Sequence, residues 1–245
     1  MTTDNHLQHV AFILDGNRRW AKARGKMAVF GHRAGAETVE KIALHCQAIG
    51  VRYATFWALS TENLRERSST ELRGLYTIIG ALHRHFDRIL KHDIRINIIG
   101  NLTALPQKQR SILADLCERT REGKSLTMTL AINYGGRDEL LRAFKKIIQE
   151  EIANAPFGKG GQRGLNEAGK HLTEERITQA LDTYPLPDPD LIVRTGGKKR
   201  LSGYLPWQSI YSELYFTDVL WPDFDAEELD RAITYFHSVQ RNFGH

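Results

Sequence analysis

Two cysteines, three methionines and no apolar run near the length of a membrane-spanning helix, in 245 residues, already exclude several kinds of protein. Cys46 and Cys117 stand in helical patterns with no CxxC pair and no Cys/His ligand spacing, so neither a disulfide scaffold nor a zinc site is expected. The opening MTTDNHLQHV lacks the basic and apolar regions of a secretory signal. These absences lead to the expectation of a reduced, cytoplasmic protein that can touch a membrane surface but has no segment to cross it. No stretch rich in Pro, Gly or Ser interrupts the chain and no internal repeat is visible, so residues 1–245 read as one domain. Disorder is excluded by composition, with 41% hydrophobic residues, enough for a full core. The 34 basic and 29 acidic residues leave a charge of +5, which favours anionic partners. Nucleic acid, acidic lipid and diphosphates all carry that charge, but no nucleic-acid docking motif is present and no nucleic-acid partner is expected.

What is present alternates. Short β-branched or aromatic runs at Val10–Leu14, Arg52–Leu59, Ile94–Ile99, Leu126–Ile132, Asp190–Val193 and Leu214–Phe216 read as strands. Helical patterns fall between the first five, at Ala34–Ile49, Thr70–Lys91, Pro106–Arg121 and Arg137–Ile152. The alternation predicts an α/β fold whose mostly parallel sheet is covered on both faces. In the longest helix Leu72, Leu75, Tyr76, Ile79, Leu82, Phe86 and Ile89 recur at three- and four-residue spacing. Such a stripe is ordinarily core, and becomes a tunnel wall only if the substrate is greasy.

Between His9 and Gly25 an apolar strand ends in Asp15, Gly16 and Asn17, with Arg18 and Arg19 directly after. Asp-Gly between apolar runs also spells a short hairpin. Arg18–Arg24 argues against a return strand, because it lacks period-two alternation and is rich in helix formers. Strand, turn and helix put that turn at a carboxyl end, where open α/β sheets bind ligands. A carboxylate beside two guanidiniums there suits a metal together with an anion.

Further strand ends repeat the theme. After the fifth strand come Arg194, Gly196, Gly197, Lys198, Lys199, Arg200 and Ser202, a loop expected to offer backbone N–H groups and cations to phosphate oxygens. The plainer alternative is a solvated basic surface. Glu213 follows in an aromatic run, where a lone carboxylate wants a metal or a cation. Ser60, Thr61, Glu62 and Asn63 end the second strand, while Ser68, Ser69 or Thr70 can cap the helix beyond. His32, in Gly31–Glu37, opens a helix, either to meet an anion or as a satisfied structural histidine. Asn133–Arg137 is another strand end with glycines and arginine, whereas the glycine-rich Phe157–Gly169 lacks P-loop spacing and reads as a surface loop.

In order and spacing, DGNRRWA, GHRAG, STEN, NYGGR, RTGG and ELYFTDVLWPDF resemble the cis-prenyltransferases, most closely the bacterial undecaprenyl diphosphate synthases, over His9 to Gly244. The resemblance implies a homodimer with a six-stranded, mostly parallel sheet and a hydrophobic tunnel. It also implies stepwise condensation of isopentenyl diphosphate onto an allylic primer, usually farnesyl diphosphate, with cis double bonds and magnesium. By position, Asp15 would bind the metal, Asn17 and Asn63 would act at the reacting groups, and Arg19 and His32 would hold the allylic diphosphate. Arg194, Arg200 and Ser202 would grip isopentenyl diphosphate, with Glu213 as the second metal-linked carboxylate. Gly16, Arg18, Trp20, Ser60, Thr61, Glu62 and Arg67 complete the implied substrate-binding set. For the proton leaving C2 of isopentenyl diphosphate, Asp15, Asn17 with water and a phosphate oxygen all remain open.

Four positions depart from the family pattern: Ala28, Lys198 and Asn242 replace an arginine, a glutamate and an arginine, and the loop arginine after STEN is Arg67 or Arg65. Three alternatives stand beside the main reading. One is a synthase of shorter cis products, allowed by the small Ala58. Another is a non-catalytic partner subunit, which would lack the Asp and Arg motifs present here. The last is a basic nucleic-acid binder, for which only the charge speaks.

Overall fold

Residues 6–66, 69–81, 91–154 and 172–240 are described by the computed structural model. Six strands form one sheet: β1 (His9–Ile13), β2 (Tyr53–Ser60), β3 (Ile94–Ile99), β4 (Leu126–Tyr134), β5 (Leu191–Arg194) and β6 (Glu213–Phe216). Their spatial order is β3-β4-β2-β1-β5-β6, and every pairing is parallel. All six expected strands are present; Ile94–Ile99 falls where expected, and the other five differ by one or two residues at an end.

A parallel strand buried on both faces needs apolar residues at odd and even positions alike. β1 meets that demand. Val10 and Phe12 join one core cluster, while Ala11 and Ile13 join the other. On the first face Phe12 stacks on Phe56 with centroids 4.8 Å apart, and Trp221 and Phe224 close the aromatic group. On the second, Trp57 stacks on Tyr204 at 4.9 Å, and Tyr134 meets Tyr204 edge-on. Each fully buried side chain of this size contributes about 1.5–3 kcal/mol.

Among the described residues the α-helices are α1 (Asn17–Ala23), α2 (Ala28–Ala48), α3 (Thr61–Glu66), α4 (Ser69–Ala81), α5 (Gln107–Arg119), α6 (Gly136–Asn154), α7 (Glu174–Ala180) and α8 (Ala226–Ser238). α2 begins at Ala28 rather than Ala34, which puts His32 a turn inside the helix instead of at its start. Within α4, Ile79 is buried and Leu75 and Tyr76 pack on the core, as a core stripe would. Leu82, Phe86, Ile89, Arg67, Asn242 and the Phe157–Gly169 loop lie outside the described residues. Both cysteines are free thiols, and burial pushes that of Cys46 up to about 12. Among the described residues no helix is long and apolar enough to cross a membrane.

Chain order fixes where a ligand can sit. From β1 the chain moves to β2 and then to β3 and β4 on one side, and only later to β5 and β6 on the other. The carboxyl ends of β1, β2 and β5 therefore border a topological switch point, the ligand crevice of open α/β sheets.

Candidate active site

A cavity of about 650 Å³ opens at that switch point. Its lining is apolar at Ile13, Leu14, Trp57 and Ala58 and mostly polar or charged elsewhere. Asp15 leaves the end of β1 and stands between two guanidiniums. Arg19, one turn along α1, donates Nη2–H to Oδ1 at 3.1 Å, and Arg194, at the end of β5, donates to Oδ2 at 3.1 Å. Arg194 is 6% exposed and Asp15 31%, so the pair is shielded on the β5 side and open to the cavity on the other. The second amino group of Arg194 donates to Ser202 Oγ at 2.9 Å and to the Arg200 carbonyl. Its Nε is buried without a partner among the described residues.

GHRAG has a steric explanation. A Cβ at Gly31 would lie 1.9 Å from the Asn17 carbonyl oxygen, and one at Gly35 would lie 2.2 Å from Asn17 Oδ1. Two glycines a turn apart thus let α2 rest directly on Asn17. Asn17 Oδ1 is buried with no hydrogen-bond partner among the described residues. Trp221 fastens the assembly from beneath, donating Nε1–H to the Gly35 carbonyl at 2.8 Å and its backbone N–H to the Asp15 carbonyl at 3.0 Å. His32 and Arg18 both line the cavity.

At the end of β2 the register against β4 slips around Ala58, a bulge of the kind that re-aims side chains beside active sites. Beyond it Ser60 accepts the Asn63 backbone N–H at 3.0 Å, so this serine caps α3, a role not foreseen from sequence. Ser60, Glu62 and Asn63 line the cavity; Thr61 is buried against Gly135 instead.

Several expectations change. The N–H groups of Gly196 and Gly197 are not offered to a phosphate, because they donate to the Val219 and Thr217 carbonyls at 2.7 and 2.9 Å. The glycines serve space: a Cβ at Gly196 would lie 2.4 Å from Arg19 Nη2. Trp20 turns away from the cavity, donating Nε1–H to Asp223 at 2.6 Å beneath the Arg24 guanidinium, 4.2 Å from the ring centre. Arg200 is exposed and reaches the site through its carbonyl and an Nε–H to Ser202 at 3.2 Å. Lys198 is exposed outside the cavity lining, and Ala28 sits half-buried at the start of α2. The side chain of Arg65 is not among those described.

Glu213 stands apart from all of these. It opens β6 opposite Leu191, which pairs with Val10 at the start of β1. Asp15 lies five residues further on, roughly 16 Å along the strand direction at the rise of a parallel strand. Within one chain the two carboxylates do not meet. Among the described residues no group of three His, Cys, Asp or Glu side chains is poised to hold a metal. Magnesium seldom needs one, being bound through one or two carboxylates plus substrate phosphates. Each Asp15 oxygen has spent one acceptor site on an arginine and keeps another, so this carboxylate fits a metal shared with a diphosphate.

A family profile described as "Putative undecaprenyl diphosphate synthase" matches residues 13–244. The chain belongs to the undecaprenyl diphosphate synthase family. This cis-prenyltransferase is 40% identical over 241 residues to the isoprenyl transferase of Wolinella succinogenes, covering 98% of this chain and 97% of that one. Its fold matches the lavandulyl diphosphate synthase of Lavandula x intermedia, solved with dimethylallyl diphosphate, at a TM-score of 0.89 and 30% identity over 99% of this chain and 100% of that one. A probable undecaprenyl diphosphate synthase from Campylobacter jejuni matches at 0.74 and 32%, over 98% and 99%. The enzyme is a transferase that synthesises cis-prenyl diphosphates.

Trp57 was not singled out from sequence, although it walls the cavity and donates Nε1–H to the Tyr134 carbonyl at 3.0 Å. An aromatic residue beside the small Ala58, near the carboxyl end of a strand, is the signal that could have found it.

Proposed function

We propose that the enzyme condenses isopentenyl diphosphate onto an allylic diphosphate, farnesyl diphosphate being the expected primer, and extends it to a long product of the undecaprenyl kind. The observation that carries this reading is the Asp15 carboxylate held between Arg19 and Arg194 in a cavity that Ile13, Leu14, Trp57 and Ala58 also line. Arg19, Arg18 and His32 bind the allylic diphosphate, whose leaving group gains charge as the C–O bond breaks. Fixed guanidiniums stabilise that charge more in the transition state than in the ground state. Arg194, Arg200 and Ser202 take the isopentenyl diphosphate, while Asn17 and Asn63 orient the reacting ends. Asp15, together with substrate phosphates, would hold magnesium, which would supply Lewis-acid stabilisation of the departing diphosphate. Glu213 could join that ion only from a second copy of the chain, which agrees with a homodimer. The tail lies against the apolar part of the cavity lining, and each buried methylene contributes about 0.8 kcal/mol toward retaining it between additions. The reading puts the enzyme in the cytoplasm, passing a product with a long apolar tail and a diphosphate head to a membrane surface.

The test is to incubate the protein with labelled isopentenyl diphosphate, magnesium and either farnesyl or dimethylallyl diphosphate, and to resolve the products by chain length. Labelled long-chain products from farnesyl diphosphate are expected. Short products alone would replace the undecaprenyl assignment. No labelled product from either primer, with the protein folded, would overturn the reading.

A further inference from the structure

Glu139, in the first turn of α6, is buried at 1% exposure, yet the described contacts of its carboxylate are all with neutral donors. The Tyr134 hydroxyl donates to Oε2 at 2.6 Å, Gln208 Nε2–H to the same oxygen at 3.1 Å, and the Asp182 backbone N–H to Oε1 at 3.0 Å. Those donors come from the end of β4, from the segment after α7, and from the 200–208 segment that follows β5. Gln208 is itself buried and also donates to Thr183 Oγ1 at 2.9 Å. One carboxylate therefore ties three distant parts of the chain together.

The segment it holds is the one that fixes Arg194. Ser202 takes one hydrogen bond from that guanidinium and the Arg200 carbonyl takes another. Ser202 and Leu205 both lie in the left-handed region, at φ of 54° and 46°, which a non-glycine residue keeps only where its surroundings impose it. Those surroundings are Gly136 N–H donating to the Gly203 carbonyl at 2.9 Å, Tyr204 donating to the Thr55 carbonyl at 3.2 Å, and Gln208 on Glu139. The first two bonds act before residue 205, and Gln208 secures the segment beyond it.

We infer that Glu139 is a positioning residue for the isopentenyl diphosphate subsite, acting through Gln208 on the 200–208 segment and thereby on Arg194. The inference rests on the assignment of Arg194, Arg200 and Ser202 to that substrate. An ionised carboxylate accepts from all three donors at once, whereas an amide in its place must turn an NH₂ group toward one of them. Gln208 Oε1 has no partner among the described residues, so Gln208 can turn over and accept from that NH₂ group, but a bond between neutral amides, roughly half as strong, then replaces one to a carboxylate and holds the segment less firmly.

Two variants test this, Glu139→Gln and Gln208→Leu, the second removing the link while leaving Glu139 with Tyr134 and Asp182. In both, KM for isopentenyl diphosphate should rise about tenfold while KM for farnesyl diphosphate stays within about twofold. Hydrogen exchange of amides in residues 200–208 should accelerate in both, with residues 9–19 exchanging as in the wild type. Equal rises in both KM values, or neither rising, would overturn the inference while wild-type turnover leaves the functional reading intact. A folded wild type without prenyl transfer would overturn that reading and the subsite with it, and exchange, which needs no turnover, would still report whether Glu139 holds the segment.

Discussion

The two ends of the sheet carry similar residue types and treat them in opposite ways. At the amino end His9 is buried between the Pro187 carbonyl, 2.7 Å from Nδ1, and the Thr55 hydroxyl, 2.8 Å from Nε2. Asp190 accepts the backbone N–H groups of Gln8 and His9 at 2.9 and 3.0 Å. At the carboxyl end Asn17 Oδ1 and Arg194 Nε are buried without partners among the described residues, and Asp15 faces a cavity. Buried polar groups are costly unless satisfied, so an end with capacity left over is an end kept for something else. Residue type alone does not separate a structural acid from a functional one. What separates them is the acceptor and donor capacity that the fold leaves unused.

The contrast can be broken most severely at Asp15. Asp15→Asn keeps the shape and leaves Arg194 bonded to Ser202 and the Arg200 carbonyl, so stability should change by no more than about 1 kcal/mol. Turnover at saturating substrate should fall about a thousandfold, since charge stabilisation and the metal-binding carboxylate go together. A steady-state kcat near the wild-type value would show that the end with spare capacity is not where the chemistry lies.

At the other end the expected loss is of stability and depends on pH. Burial lowers the pKa of His9 from 6.5 to about 4, so the unfolded chain binds the extra proton first. Stability is therefore complete above about pH 6.5 and declines as pH falls toward 4, by about 3 kcal/mol over the window. Urea unfolding across that range should show the decline, and His9→Gln should flatten it. An unchanged slope in the variant would mean that another group carries it.

The smallest effect sharpens the contrast within the carboxyl end itself. Trp20 lies in the DGNRRWA motif, but its indole is committed to Asp223 and Arg24. Trp20→Phe should cost about 1 kcal/mol, measured by thermal unfolding, and leave both KM values within about twofold. A large rise in either KM would return Trp20 to the substrate-binding set.

Strands were legible because a sheet buried on both faces writes near-continuous apolar runs such as HVAFI. The helix α8 was not anticipated, although its signal is present: Asp225 caps it by accepting the Glu228 N–H at 3.0 Å, ahead of Leu229, Ala232 and Phe236 at helical spacing. The run ELYFTDVLWPDF ends at Phe224, directly before that cap. In the site, Asp15, Arg19 and Arg194 could be read because strand ends in an α/β fold converge. The use made of Gly196 and Gly197 could not, since it depends on Thr217 and Val219 arriving alongside. The place of Glu213 in the sheet could not be read for the same reason. Sequence places it in an apolar run near the site motifs, and only strand register puts it at the far end of the sheet.

The strand order also bears on how the chain is made. β1 ends between β2 and β5, yet Asp15 and Arg194 stand 179 positions apart. At synthesis rates of 5–20 residues per second, roughly ten to forty seconds separate the emergence of β1 from that of its second neighbour. Throughout that interval HVAFI has a bare apolar edge, the kind of template that recruits other nascent chains. The pairing of β1 with β5, which brings Arg194 to Asp15, is the same event that covers this edge.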